Sequence, residues 1–341
     1  MSENEVKRSR RSSGAITLHD VARLAGVSPI TASRAINKPE QVSPELLKKV
    51  EEAVSRTGYV PNRMAGGLAS SRSKLIAAVV PSTVISVFNE TIEALNNTLF
   101  DAGYQLMLGQ SVYSSTREEL LLDSVIGRRP DGIFLTGVMQ SGKGRTRLIA
   151  SGIPVVETWD LTPTPIDMLI GFSHTDIGLA VAKYLLGKGR KQFAIIRAED
   201  ERADRRTMAF NTAISDAGLP KPYVVNVGDQ RSIRSGRDAM LNVLKNASQT
   251  DAIFCSSDLL ALGALTEARV QKIEVPKQIA IVGFGDIPFV ADMLPALTTV
   301  RINGGRIGQL AAQYLMDRAE GREVLNPLVN VGFSIIERDT A

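Results

Sequence analysis

The segment Ser28-Pro29-Ile30-Thr31-Ala32-Ser33-Arg34-Ala35-Ile36-Asn37 sets three hydroxyls, a guanidinium and a carboxamide within ten residues. Hydroxyls and amides can hold phosphate oxygens and so fix register on a duplex. Arg34 carries the fork that matches guanine O6 and N7, and Ile30 offers an apolar surface to a thymine methyl. Elsewhere the chain lacks catalytic pairings. Gly137-Val138-Met139-Gln140-Ser141-Gly142-Lys143-Gly144 nearly spells a phosphate-binding loop, but that loop needs Ser or Thr after the lysine. It reads instead as a flexible surface loop. Gly283-Phe284-Gly285 is too short for a dinucleotide fingerprint. His19 and His174 stand far apart, neither at metal-ligand spacing, and His19 reads as a phosphate neighbour or a partly exposed helix residue. Cys255, the one cysteine, ends an apolar run and reads as a buried inert thiol. With no nucleophile–base pair and no paired acids, neither enzymatic activity nor a metal or cofactor is expected.

The elements that must position the first group are short helices. Thr17 can cap one running from Leu18 to Ala25, and Gly26-Val27-Ser28 makes a turn. Ser28 caps the next, with Pro29 at its first position, where the missing N–H costs nothing. Val21, Leu24, Val27, Ala32 and Ile36 supply an apolar face at helical spacing, and Asn37-Lys38-Pro39 ends the helix. Ser43 caps a third helix, carrying Leu46, Leu47, Val50, Ala53 and Val54 and ending at Gly58. Two helices joined by a tight Gly-containing turn form the helix-turn-helix pattern, whose second helix enters the major groove. Its exposed positions are expected to be Pro29, Ile30, Thr31, Ser33, Arg34 and Asn37.

Charge supports this placement. Residues 1–74 carry 13 of the 40 Lys/Arg and 7 of the 36 Asp/Glu, a net of +6 against −2 for the rest. A basic small unit on a near-neutral large one suggests a polyanionic partner. Residues 1–15, with Lys7, Arg8, Arg10 and Arg11 among serines, read as a disordered basic arm, and 16–60 as the DNA-binding domain. Residues 61–73 read as a hinge whose Gly66-Gly67 pair leaves it mostly unfolded alone in water.

From Leu75 apolar runs alternate with amphipathic stretches in two successive sets, which predicts an α/β effector domain of two similar lobes with largely parallel sheets. It spans 74–341: lobe 1 takes about 74–172 and 302–330, and lobe 2 about 173–300 and 331–341. The fold class is multi-domain, an all-α head on this body. Small ligands bind such folds outside the carboxyl ends of the strands. No apolar run approaches the roughly 18 residues of a membrane helix. The start of the chain is polar and basic rather than signal-like, and the single thiol fits a reducing cytosol, so a cytoplasmic protein is expected.

Several stretches together resemble the LacI family of bacterial repressors. They are Thr17-Leu18-His19-Asp20-Val21-Ala22-Arg23-Leu24-Ala25-Gly26-Val27-Ser28 continuing through Ser33-Arg34-Ala35-Ile36-Asn37, then Gly58-Tyr59-Val60-Pro61-Asn62. Asp258-Leu259-Leu260-Ala261-Leu262-Gly263-Ala264, Val275-Pro276, Ile281-Val282-Gly283-Phe284 and Pro295-Ala296-Leu297-Thr298-Thr299-Val300 follow in order. The resemblance implies a homodimer on palindromic double-stranded operator DNA, an effector domain like periplasmic sugar-binding proteins, and a hinge that folds on DNA. It places DNA contacts at Thr17, Ser28, Pro29, Ile30, Thr31, Ser33, Arg34, Asn37, Ser43 and Asn62, with Leu68 as the apolar minor-groove wedge. Pro29 and Ile30 depart from the family by lacking hydrogen-bonding side chains where base readers sit, so readout rests more on Arg34 and on shape.

In the body, the resemblance points to Phe172, Arg206, Ser257 and Asp258 as cleft residues. Ser82, the loop through Thr83 to Phe88, Glu157, Trp159 and Asp160 are weaker candidates. Phe172 and Trp159 could cover the apolar face of a sugar, and Arg206 could hold a carboxylate or vicinal hydroxyls. At least two of the nearby Arg197, Arg202 and Arg205 are expected on solvated surface. Family members that bind neutral sugars commonly carry Asp after Gly-(Phe/Tyr), where this chain has Gly285. Removing that charge while keeping Arg206 favours a sugar acid such as gluconate or 2-ketogluconate. The segments Pro81-Ser82…Val87-Phe88, Ile153-Pro154-Val155-Val156-Glu157…Asp160 and Gly171-Phe172 also resemble gluconate-utilisation repressors of the family. Together these readings predict a repressor of sugar-acid catabolism genes released by its effector. The alternatives are a solute receptor feeding a transporter, or an activator or corepressor-dependent regulator of the same family.

Overall fold

The structure is a computed structural model describing residues 16–60, 72–82, 87–112, 115–228 and 231–341. The basic arm, most of the hinge with Asn62, Gly66, Gly67 and Leu68, and Thr83 lie outside the described residues. The chain divides into two compact units between Ser73 and Lys74.

The head comprises α1 (Leu18–Ala25), α2 (Pro29–Asn37), a 3-10 turn (Pro39–Gln41) and α3 (Pro44–Thr57). Local chemistry sets each boundary. The Thr17 N–H and hydroxyl both donate to the Asp20 carboxylate, closing the first turn of α1. The Ser28 hydroxyl accepts the Thr31 N–H and the Ser43 hydroxyl the Leu46 N–H, satisfying donors that a helix start leaves open. Gly26 and Gly58 end α1 and α3 in the left-handed conformation. Val21, Ala35, Val50 and Ala53 form the buried centre, with Ala25, Val27, Ile36, Leu46, Leu47 and Val54 packed around it. Leu24 does not join them, contrary to the sequence expectation, and stands 43% exposed. The buried stripe of α1 runs through Val21, Ala22 and Ala25, and Leu24 falls off its edge.

Among the described residues, the body holds two six-stranded sheets. The first contains β1 (Leu75–Val80), β2 (Gln105–Gln110), β3 (Gly132–Thr136), β4 (Val155–Thr158), β5 (Met168–Gly171) and β11 (Leu328–Asn330), in the order β11-β5-β4-β3-β1-β2. The second contains β6 (Phe193–Arg197), β7 (Tyr223–Asn226), β8 (Ala252–Cys255), β9 (Ala280–Phe284), β10 (Thr298–Arg301) and β12 (Ser334–Ile336), in the order β12-β10-β9-β8-β6-β7. All neighbours are parallel except β12 against β10. The inner strands are continuous apolar runs because helices cover both faces. On the first sheet these helices are α4 (Asn89–Asp101), α5 (Ser115–Gly127), α6 (Gly142–Ser151) and α11 (Gly304–Ala319). On the second they are α7 (His174–Gly187), α8 (Glu201–Asp216), α9 (Ile233–Asn246) and α10 (Asp258–Val270). The chain passes between the two lobes after β5, after β10 and after β11.

One sequence reading is corrected here. Gly142, Lys143 and Gly144 are not loop but the first turn of α6, because the Ser141 hydroxyl accepts the Gly144 N–H and caps the helix.

Candidate functional site

On the head, the second helix presents a polar face. Ile30 is 73% exposed, Arg34 and Asn37 are exposed, and Pro29, Thr31 and Ser33 are half-buried. The Ser28 and Thr31 hydroxyls pair at 2.8 Å, and the Asn37 amide donates to the Ser33 carbonyl at 2.9 Å, so these groups are held in place. Arg34 makes no ion pair among the described residues, which leaves its guanidinium available to an outside acceptor. Thr17 and Ser43, at the starts of α1 and α3, are exposed.

In the body, the residues singled out by sequence fall just past the carboxyl ends of strands. Half-buried Ser82 follows β1, Trp159 and Asp160 follow β4, Phe172 follows β5, and Ser257 and Asp258 follow β8. The aromatic ones converge edge-on. Phe88 and Trp159 lie 4.9 Å apart and Trp159 and Phe172 5.6 Å apart between ring centroids. The Phe172 ring lies 4.8 Å from that of His174. Arg206, projecting from α8, lays its guanidinium 4.2 Å above the ring of Phe284, a cation–π contact. All of these side chains are buried.

Arg206 donates from Nη1 to His174 Nδ1 at 2.8 Å and from Nη2 to the Ser256 carbonyl at 3.4 Å, while its Nε finds no acceptor among the described residues. Burial lowers its pKa to about 10, against the pull of Asp200, so it stays charged near neutrality. Burial also pushes His174 down to about 2, helped by the cations Arg206 and Arg202, so the imidazole is neutral. Burial opposes ionisation of Asp200, but Arg202, Arg206, the Ala203 N–H and Arg231 together hold its carboxyl well below the usual range. The cluster is therefore a fixed buried cation framed by aromatic rings, a setting suited to an anionic group on a ligand with an apolar face.

Other residues named from sequence serve the fold. Asp160 accepts the Leu161 N–H with one oxygen and Arg205 with the other. Its backbone explains Gly171: a Cβ there would stand 1.8 Å from the Asp160 carbonyl oxygen. Ser257 caps α10 by accepting the Leu260 N–H. Asp258 accepts the Thr299 hydroxyl at 2.6 Å and the Ile287 N–H at 2.9 Å. Buried Glu157 accepts the N–H groups of Met139 and Ile166 and ties two loops of the first lobe. Gly285 has φ of +132°, and a Cβ would come within 3.1 Å of Val87, so backbone geometry favours glycine there independently of charge.

The expectation for the neighbouring arginines is corrected. Arg197, Arg202 and Arg205 have side chains only 12%, 19% and 36% exposed. Each meets a carboxylate, Asp204, Asp200 and Asp160 respectively, and the last pair joins the two lobes. His174, Asp200 and Phe284 were not anticipated as site residues. The Gly171-Phe172-Ser173-His174 run at a crossover between lobes was the available signal for the histidine.

Comparisons with known proteins bear on both units. Residues 17–62 match the model for bacterial regulatory proteins of the lacI family, and residues 182–341 the periplasmic binding protein-like domain. The HTH-type transcriptional regulator GntR of Pseudomonas aeruginosa is 36% identical over 342 residues, covering 100% of both chains. GntR of Escherichia coli is 31% identical, covering 93% of this chain and 96% of its own. The crystal structure of a LacI family transcriptional regulator from Silicibacter pomeroyi superposes with a TM-score of 0.89 at 30% identity, covering 95% of this chain and 99% of that one.

Proposed function

This chain belongs to the LacI family of bacterial regulatory proteins, and we propose that it represses sugar-acid catabolic genes as a cytoplasmic homodimer on a palindromic operator. Gluconate or 2-ketogluconate is the effector, its carboxylate held by Arg206, and its arrival releases the operator. The observation that carries this reading is the buried Arg206 guanidinium, charged, laid over Phe284 and with Nε unsatisfied among the described residues. A ligand carboxylate answers both the charge and the open donor, whereas a neutral hexose answers only the donor. The absence of Asp after Phe284 removes a repulsion such a ligand would meet. The names of the GntR relatives agree with this direction. On the head, Arg34 reads guanine while Thr17, Ser28, Thr31, Ser33, Asn37, Ser43 and Asn62 set register on phosphates. Pro29 and Ile30 add apolar contacts, and Leu68 wedges the minor groove. In the body, Ser82, Phe88, Trp159, Phe172 and the loops held by Asp160, Ser257 and Asp258 shape the cleft around the effector. Effector and operator bind coupled states, so each changes the other's affinity by the same factor.

Calorimetric titration of gluconate, 2-ketogluconate and neutral hexoses tests the effector. The sugar acids should bind, and Arg206→Ala should weaken them by about 1.5–3 kcal/mol, roughly ten- to a hundredfold in Kd. Operator affinity of that variant, read by fluorescence anisotropy, should survive. Binding of neutral hexoses with no response to sugar acids would refute the assignment.

A further inference from the structure

We propose that His174 is a positioning residue that carries the state of Arg206 from one lobe to the other, acting as a one-way hydrogen-bond relay. The proposal rests on Arg206 as the effector's contact and adds how that contact is reported to the lobe joined to the linker. Hydrogen-bond chemistry fixes the direction of the relay. A guanidinium only donates, so His174 Nδ1, 2.8 Å from Arg206 Nη1, must accept. The ring proton then sits on Nε2, which donates to the Trp159 carbonyl at 3.1 Å. The Trp159 indole N–H donates in turn to Thr91 Oγ1 at 3.1 Å, in α4 of the first lobe. A continuous buried line thus runs Arg206–His174–Trp159–Thr91, with these residues 4%, 4%, 2% and 1% exposed.

The backbone at Trp159 is shaped for the same connection. Its φ is +62°, a left-handed conformation that bulky residues rarely adopt and that costs on the order of 1–3 kcal/mol. Its N–H donates to the Ile170 carbonyl while its own carbonyl is turned to the imidazole. Surrounding bonds at the carbonyl, the N–H and the indole hold this conformation together, so it depends on the relay being made. The imidazole packs against Phe172 and Phe284, and its burial, reinforced by the charges of Arg206, Arg202 and Arg205, keeps a second proton off it near neutrality. A ligand carboxylate that draws Arg206 away from Nδ1 removes the first bond of the line. The imidazole then loses the donor that anchors it and fixes its tautomer, which weakens its hold on the strained Trp159 carbonyl. The line ends at Thr91 in α4, which packs against α11 in the lobe whose first strand begins directly after the hinge.

The chain holds two histidines, so the ring spectrum of the full-length protein labelled with nitrogen-15 histidine is simple, and His174→Gln assigns it by loss. His174 should appear as the neutral tautomer protonated on Nε2, unchanged from pH 5 to 8, and should respond to D-gluconate. The coupling factor is the ratio of operator Kd with and without saturating gluconate. It should fall towards one in His174→Leu and recover several-fold in His174→Gln, whose amide offers both an acceptor and a donor. Gluconate Kd, read separately by calorimetry, should move less than the coupling. An Nδ1-protonated or titrating ring, or wild-type coupling in His174→Leu, would overturn the relay. If gluconate gives no heat with the wild-type chain, the effector assignment fails, and the ring spectrum alone still decides the relay.

Discussion

Replacing Asp258 by Asn should change how stability responds to pH, with a sign fixed by burial. The Asp258 carboxylate is 1% exposed and is held by the Thr299 hydroxyl and the Ile287 N–H. Burial pushes its pKa up from 3.8 to about 6, and the two hydrogen bonds and Arg338 offset this only in part. Because the folded value lies above the unfolded one, its stabilising contribution is complete below about pH 3.8 and is lost as pH rises through about 6. A shift of about two units at 1.36 kcal/mol each amounts to on the order of 3 kcal/mol. Asn cannot ionise, so between pH 4 and 7 the stability difference should move in favour of Asp258→Asn by about that amount. Titrations common to both proteins cancel in the difference. Urea unfolding followed through Trp159, the single tryptophan, at several pH values measures it directly. A gap that stays constant with pH, or one that turns against the variant as pH rises, would refute the assignment of this carboxylate as buried and reluctantly charged.

Two further outcomes follow from the geometry. Gly171→Ala places a Cβ 1.8 Å from the Asp160 carbonyl oxygen, so the crossover must shift. Its stability should fall by about 3 kcal/mol or more, visible as a melting midpoint several degrees lower; an unchanged midpoint contradicts the close approach. Arg34→Ala should weaken binding to the cognate operator by about 1–3 kcal/mol and binding to scrambled duplex much less, measured by anisotropy at fixed salt. Equal losses on both duplexes would make Arg34 a phosphate contact rather than a base reader.

The legible features were those decided within a few residues. Ser28, Ser43 and Gly58 mark helix ends because caps act on N–H and carbonyl groups one turn away, and α1 to α3 were placed accordingly. Continuous apolar runs such as Ala252–Cys255 announced inner strands. The strands β5, β10, β11 and β12 and the helix α11 were not anticipated: β10, β11 and β12 are three- or four-residue segments that include polar residues and so offer no continuous apolar run, and α11 opens on two glycines and is stabilised by packing on α4. At the site, Arg206 was visible as a residue, but its setting was not. His174, Asp200, Ser256 and Phe284 reach it from separate stretches of the chain, and only the folded sheets bring them together. Arg205 shares this non-locality, because its partner Asp160 comes from the other lobe, whereas Arg197 and Arg202 are half-buried against Asp204 and Asp200 close in sequence.

The threefold passage of the chain between its lobes has a consequence for biosynthesis. The edge strand β11 and the covering helix α11 of the first sheet are both encoded after residue 303. A nascent chain that has emerged as far as β10 therefore carries one sheet with a bare apolar face and an open edge, which is the kind of surface that aggregates. Neither lobe can be completed on the ribosome in isolation, and no single cut in the gene yields one lobe whole. The two lobes reach maturity together, once the residues beyond 303 have been made.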